Sequence, residues 1–279
     1  MQTEITHNPL QIEDLLVVKI GGGAGLDMDR CIQDLARLAA ARPLVIVHGV
    51  SERMNHLCVE NGVPVRTLTS PDGHSSRYTD AVTRDFFAEA ASQINHEMVA
   101  ALRGRGIRAL GSFADSIAIH GRRKGAIRAV VNGRVRIVRD DYSGSITSVE
   151  NGRLYDLLRL GYTPVLPPVA RSQSDGLLNI DGDRAAAAVA AALGARDMVI
   201  LSNVPGLYRD PNGYQEVVTR VSAREINEAM AWAQGRMKRK VLSASEALDG
   251  GVRRVVIADG RIDNPVERAL SGAGTEFVA

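Results

Sequence analysis

Lys19 stands just ahead of three glycines, Gly21, Gly22 and Gly23, at the end of the apolar stretch LLVVKI. Backbone N–H groups of such a loop approach phosphate oxygens closely, and a lysine at the strand end adds a point charge at the same spot. A plain glycine turn beside a sheet-edge lysine fits the same residues. No GxxxxGK[ST] occurs, and GxGxxG spacing fails at Leu26. His48-Gly49-Val50-Ser51 ends a second apolar stretch and opens a helix, so its backbone N–H groups also point at a crevice. His48 itself reads as a satisfied strand-end histidine rather than a base. Arg77, in SSRYTD, suits a bidentate grip on a carboxylate or a solvated surface position. In NIDGD, Asn179 and Asp183 suit a turn with a helix cap, or a cleft in which Asp183 ligates Mg²⁺ or orients lysines. Gly235–Lys240 (GRMKRK) gathers cations at a helix start, where they are unfavourable unless an anion lies nearby.

These residues act together only if the elements between them converge. Leu15–Ile20, Leu44–Val47, Tyr162–Leu166, Met198–Leu201 and Arg254–Ile257 are short apolar runs, as buried strands should be. Helical spacings lie between them, which predicts an α/β fold with a largely parallel sheet. Ser51 is the expected cap of a helix whose inner face carries Met54, Leu57 and Cys58. A long helix is expected from Thr79 to Arg103, with Val82, Phe86, Ala90, Ile94, Met98 and Leu102 stepping by four. Pro64–Asp80 reads as a loop with extended character. Helices are expected over Gly182–Leu193 and Gln234–Leu248. Asn132-Gly133, within VVNGRVRIV, predicts a hairpin, because both residues tolerate positive φ. The polar stretch Arg171–Asp175 suggests two lobes, 1–172 and 173–279.

The chain has 279 residues, 45% hydrophobic and 24% charged, which excludes a mostly disordered chain, a collagen and a coiled coil. No apolar run is long enough to span a bilayer, and the acidic N-terminus does not read as a secretory signal. Two cysteines make neither a disulfide framework nor a zinc site, so a reducing cytoplasm is the expected compartment. Net charge is only +2, yet from Arg103 to Arg139 ten Lys or Arg face one acid, Asp115. That excess calls for a partner. With 4% aromatic residues, none of them within the basic run, a single-stranded nucleic-acid platform is disfavoured.

The combination Lys19-x-Gly21-Gly22, His48-Gly49, Arg77-Tyr78-Thr79-Asp80, Asn179-x-x-x-Asp183, Ser202–Tyr208 (SNVPGLY) and Gly235-x-Met237-x-x-Lys240 resembles the amino acid kinase family, within it the acetylglutamate kinases. It is most similar to the branch acting on 2-aminoadipate or glutamate carried by the amino-group carrier protein LysW. TSPDGHSSRYTD (Thr69–Asp80), GRRK (Gly121–Lys124), VVNGRVRIVRDDYSG (Val130–Gly144), SNVPGL (Ser202–Leu207) and QGRMKRKV (Gln234–Val241) carry the branch likeness.

The resemblance implies an αβα sandwich around a mostly parallel sheet of eight strands, with amino acid in the N-terminal lobe and ATP in the C-terminal lobe. It implies that Lys19 and Lys240 stabilise the transferring phosphoryl group and that Asp183 organises them. Gly49 and Val50 would bind substrate through backbone N–H groups, and Arg77 and Asn179 would hold the α-side of the amino acid. Gly21, Gly22, Gly23, Ser202, Asn203, Gly206, Leu207, Tyr208 and Met237 would surround ATP, with Mg²⁺ as its companion. Arg122, Arg123, Lys124, Arg128, Arg134, Arg136 and Arg139 would meet a small acidic carrier. A homodimer is expected, because the residues before the first strand look too short for a long interlocking helix. Val50 departs from the family glycine, and its β-branched side chain is expected to narrow the pocket or alter which acyl-amino acid fits. Rival readings are an acetylglutamate kinase acting on free substrate, a catalytically silent amino-acid sensor, and a nucleic-acid role for the basic hairpin.

Overall fold

The computed structural model describes residues 12, 14–71, 73, 75–112, 116–131, 133–210 and 216–279. The first half runs β1 (Leu16–Ile20), α1 (Met28–Ala41), β2 (Leu44–His48), α2 (Ser51–Glu60), β3 (Thr67–Thr69), β4 (Ser75–Arg77), α3 (Ala81–Arg103) and β5 (Ala109–Gly111). Next come β6 (Ile119–Arg123), β7 (Ile127–Val131), β8 (Arg134–Val138), β9 (Gly144–Val149), α4 (Asn151–Arg159), β10 (Thr163–Leu166), β11 (Val169–Ser172) and β12 (Gly176–Asn179). The chain closes with α5 (Gly182–Ala192), β13 (Asp197–Ser202), β14 (Arg220–Ser222), α6 (Ile226–Trp232), α7 (Arg236–Asp249), β15 (Arg254–Asp259), α8 (Pro265–Leu270) and β16 (Thr275–Val278).

Eight strands make the central sheet, in the order β14-β16-β15-β13-β1-β2-β10-β5. All neighbours are parallel except β15 and β16. Its inner strands are wholly buried, which explains why they read as continuous apolar runs. Residues on alternate sides of β1 enter different cores. Leu16, Val18 and Ile20 pack with Leu35 of α1 and Val266 of α8. Val17 packs with Ala186 of α5 and Ala244 of α7. This is the expected three-layer αβα sandwich.

A second sheet, β12-β11-β6-β9, and two hairpins, β3-β4 and β7-β8, stand apart from the first. The expected boundary at residue 172 falls in the turn joining β11 to β12, which pair antiparallel. Asn132 lies outside the described residues, but β7 and β8 pair as the Asn-Gly signal requires, and Gly133 has φ 74°.

Two local expectations need correction. Ser51 is the first residue of α2, Val50 takes the cap position, and no side chain caps the end. The long helix α3 is capped by Asp80, whose side chain accepts from Thr83 N–H. Its buried face holds Thr83, Phe87, Ala90, Ala91, Asn95, Met98, Val99 and Leu102, whereas Val82 is 56% exposed. A strict step of four drifts by about 40° per step on a helix of 3.6 residues per turn, so Val82 and Leu102 cannot share a face.

Candidate active site

The glycine loops after β1 and β2 meet backbone to backbone. Gly49 N–H donates to the Ile20 carbonyl at 2.9 Å, and Glu52 N–H donates to the Gly22 carbonyl at 2.7 Å. A Cβ at Gly22 would lie 2.2 Å from the Val50 nitrogen, and one at Gly49 would lie 2.3 Å from the Gly22 nitrogen. Only hydrogen fits between these loops, so both glycines are dictated by close approach. Val50 has φ −136°, which any L-residue adopts, and is 3% exposed in a cluster with Met54, Phe87 and Ile117. The valine therefore departs from the family glycine without backbone strain. Its side chain packs in that cluster, and the residue also lines the cleft described below.

Strand alternation sends Lys19 to the same side as Val17, toward α5 and α7. There Lys19 Nζ lies 2.6 Å from Asp183 Oδ1, and Lys240 Nζ lies 3.2 Å from Asp183 Oδ2. All three are less than a tenth exposed. The alanines of α5 let that helix pack closely on α7, where a Cβ on Gly250 would come within 2.4 Å of Ala191 Cβ. This approach brings Lys240 to Asp183. Burial alone would raise the Asp183 pKa, but the charges of Lys19 and Lys240 outweigh it and hold the carboxyl below its ordinary range. Burial lowers the Lys240 pKa, against the pull of Asp183. Asp183 also sits in the first turn of α5, where a negative charge is favoured. Two cations share one carboxylate here, and the residual positive charge needs an anion.

These groups lie in one cleft of about 1290 Å³, lined by Lys19, Gly21, Gly22, Gly23, Gly49, Val50, Arg77, Asn179, Asp183, Ser202, Asn203 and Lys240. Arg77 extends from β4 and donates through Nη2 to Asn55 Oδ1. Its Nη1 is buried without a hydrogen-bond partner. Burial lowers its pKa, and Arg236 adds to that. An orphan buried guanidinium N–H on a cleft wall is a ready site for a carboxylate oxygen. Asn179 Nδ2 donates to Thr79 Oγ1 at 2.9 Å, and Thr79 N–H donates to buried Asp141 at 2.8 Å. Those links fix Asn179 on the cleft wall.

His48 is not a base. Its Nδ1 lies 3.3 Å from the Gly49 carbonyl and its Nε2 lies 3.1 Å from Asn95 Nδ2. The Asn95 amide nitrogen is a donor, so the ring is neutral with its proton on Nδ1. Burial lowers its pKa to about 4, with Lys19 adding to that.

The residues nominated for ATP divide. Ser202 and Asn203 line the cleft. Leu207 is buried in the core, with its N–H bonded to Thr275 Oγ1 at 2.8 Å. Gly206 is held there by space, because a Cβ would lie 2.6 Å from that same Oγ1. Met237 packs against the core, and Tyr208 bridges to Val217. The basic residues divide too. Arg122, Arg128, Arg134, Arg136 and Arg139 are exposed, and Lys124 lines the cleft. Arg123 is half-buried and engaged locally: it donates to the Asp141 and Arg139 carbonyls and lies over Tyr142.

Asp181 and Arg239 were not singled out in sequence. Asp181 caps α5 through bonds to the Asp183 and Arg184 N–H groups. Arg239 pairs with Asp181 at 3.3 Å and donates to the Ser75 carbonyl of β4. The Asp-Gly-Asp cap signal could have found Asp181. The partners of Arg239 lie 58 and 164 residues away, so no local signal marks it.

The model of the amino acid kinase family matches residues 14–259. The chain belongs to the amino acid kinase family. It is 41% identical over 269 residues to the [LysW]-aminoadipate kinase of Deinococcus radiodurans, covering 95% of this chain and 92% of that protein. It is 42% identical to the [LysW]-aminoadipate kinase of Thermus thermophilus, covering 94% and 99%. Among solved structures, N-acetylglutamate synthase from Neisseria gonorrhoeae, complexed with coenzyme A and N-acetyl-glutamate, matches with TM-score 0.79 at 25% identity. That match covers 96% of this amino acid kinase and 61% of the synthase chain. The carbamate kinase of Giardia shares the fold, with TM-score 0.67 at 15% identity, covering 95% of this chain and 98% of its own.

Proposed function

We propose that this amino acid kinase transfers the γ-phosphoryl group of ATP to the side-chain carboxylate of 2-aminoadipate, or of glutamate, carried on a small acidic amino-group carrier protein of the LysW type. The product is an acyl phosphate. Aminoadipate belongs to lysine biosynthesis and glutamate to arginine biosynthesis. The observation that carries the reading is Asp183 held between Lys19 and Lys240 at the head of a cleft that also contains Arg77. The two relatives above 40% identity name the carrier and the acceptor.

The chemistry follows from charge. The attacking carboxylate is already ionised at neutral pH, so the reaction needs no general base. The barrier is repulsion between anions and the charge spread over the transferring group. Lys19 reaches that group from β1 and Lys240 from α7. Each ammonium has three N–H donors, and the bond to Asp183 leaves others for phosphoryl oxygens. The amides of Gly22 and Val50 line the approach, whereas those of Gly21 and Gly49 are bonded to the Leu201 and Ile20 carbonyls and hold the loops in place. Arg77 takes the α-carboxylate and Asn179 fixes the amino acid beside it. Asp183 is engaged by both lysines, and no cluster of three metal-ligating side chains stands among the described residues. Mg²⁺ in this reading travels with the ATP phosphates and screens their charge. The acceptor occupies the part formed by residues 1–172 and ATP the part formed by 173–279, within a cytoplasmic homodimer.

The exposed arginines of the hairpin favour an acidic carrier over free acetylglutamate. A second reading, N-acetylglutamate itself, draws on the likeness to the synthase. The test supplies ATP with either carrier-linked aminoadipate or free N-acetylglutamate and traps the acyl phosphate with hydroxylamine. Turnover of the carrier-linked substrate is expected to dominate. Equal or better turnover of free N-acetylglutamate would reject the carrier.

A further inference from the structure

The β7-β8 hairpin carries an apolar face that the described residues leave uncovered. Its register sets Val130 opposite Val135 and Arg128 opposite Ile137. Opposed residues and their next-but-one neighbours share a face of a ladder. Val130, Val135 and Ile137 therefore form one patch, with Arg128 at its edge. They are 41%, 51% and 53% exposed. The other face holds fully buried Ala129 together with Arg134 and Arg136.

Scattered exposed valines are ordinary, but a contiguous β-branched patch on an isolated ribbon is not. β7 and β8 form a two-stranded sheet of their own. Such ribbons are marginal in water and gain stability when another surface covers a face. The hairpin stands beside the cleft: on its other face Ile127, at the base of β7, lines the cleft, and β7 contacts β3, whose Thr67 and Leu68 line it too.

We infer that this face docks the folded body of the carrier, through an apolar patch ringed by acidic side chains on the partner. This inference rests on the carrier-linked reading above and adds a second component to it. Arg122–Arg139 contains no acid, so the surroundings of the patch are positive. An apolar centre with a cation, Arg128, at its edge has the anatomy of a protein interface. A second copy of this chain is a poor occupant. A two-fold contact on this face would bring Arg128 and its neighbours toward their own copies, and like charges oppose that. Arginines speed encounter in a salt-dependent way, whereas apolar burial lengthens the bound lifetime and is little affected by salt.

The test is the double variant Val135→Ser/Ile137→Ser, which alters two exposed side chains and leaves every charge in place. Steady-state kinetics at low and high salt use the carrier bearing aminoadipate, and in parallel a small N-acyl aminoadipate; sedimentation velocity gives the oligomeric state. KM for the carrier is expected to rise about tenfold at both salt concentrations, as for loss of central interface contacts, with the small acceptor and the oligomer unchanged. An unchanged carrier KM overturns the inference. So does a change of oligomeric state without a carrier effect, which would make a second copy the occupant. Wild-type protein that ignores the carrier but phosphorylates the small acceptor rejects the carrier-linked function, and the docking face falls with it.

Discussion

At the scale of single residues, the arrangement around Asp183 separates binding from catalysis. In the proposed reaction, Lys19 and Lys240 meet charge that peaks during transfer. Lys19→Ala and Lys240→Ala are therefore expected to lower kcat by about 100-fold or more with modest changes in KM, as for lost transition-state stabilisers. Near-normal kcat in either variant would remove that lysine from the chemistry. His48 makes a separate prediction about pH. Its folded pKa, lowered to about 4 from 6.5, means that the native state stays neutral while the unfolded chain takes up a proton. Stability from this group is complete above pH 6.5 and is lost as pH falls toward 4. The loss amounts to about 3 kcal/mol at one pKa unit per 1.36 kcal/mol. Denaturant titrations between pH 7 and pH 4.5 should show this slope, and His48→Gln should flatten it.

At the scale of elements, the two glycine loops work as one backbone unit. Gly22→Ala puts a methyl group where the Val50 nitrogen stands 2.2 Å away. The loops must part, so KM for ATP and for the acceptor should rise together, with kcat/KM falling about 100-fold, as for misplacement of a reacting geometry. An effect on only one substrate would show that the loops act independently. Val50 behaves differently because its side chain is buried with Met54 and Phe87. Val50→Ala should cost about 2 kcal/mol of stability, the range of a buried truncation, with little change in acceptor preference. Chemical denaturation and acceptor kinetics on the same variant measure both outcomes. An unchanged stability with altered preference would return Val50 to the pocket.

At the scale of the whole molecule, one continuous eight-stranded sheet runs through both halves of the chain. Lys19 sits on β1, between β2 of the first half and β13 of the second. The strands' carboxyl ends open into the cleft at the point where connections diverge to either side, where ligands of open α/β sheets bind. The hairpin arms sit beside that opening and carry an excess of positive charge. For the carrier-linked substrate, kcat/KM should fall steeply with added salt, because the Debye length shrinks from about 10 Å at 0.1 M to about 3 Å at 1 M. Arg134→Glu/Arg136→Glu should reproduce the high-salt value at low salt. Parallel salt series with a small N-acyl acceptor provide the reference. Identical slopes for both acceptors would leave the basic hairpin without a steering role.

Local letters were enough for what depends on near neighbours. The buried strands, the helices after the glycine loops and the β7-β8 hairpin were legible because apolar periodicity and Asn-Gly chemistry act within a few residues. Lys19 and Asp183 were legible as candidates beside their glycine turns, each with an ordinary structural alternative, and the joint role with Lys240 came from the family resemblance. Three-dimensional structure alone decided how they meet. Strand alternation turned Lys19 toward α5, and small side chains on α5 let α7 bring Lys240 within 3.2 Å of Asp183. The second sheet escaped the sequence reading because its strands are short and their pairings are distant, such as Arg171 with His120. The fate of Arg123, Leu207 and Val50 was likewise tertiary. Each has an ordinary residue type for a binding role, and its packing against Tyr142 and Asp141, Thr275, or Met54 with Phe87 is set by neighbours distant in sequence. Residue type and spacing select the chemistry a chain is able to perform; burial and long-range contact decide which of its candidates are left free to perform it.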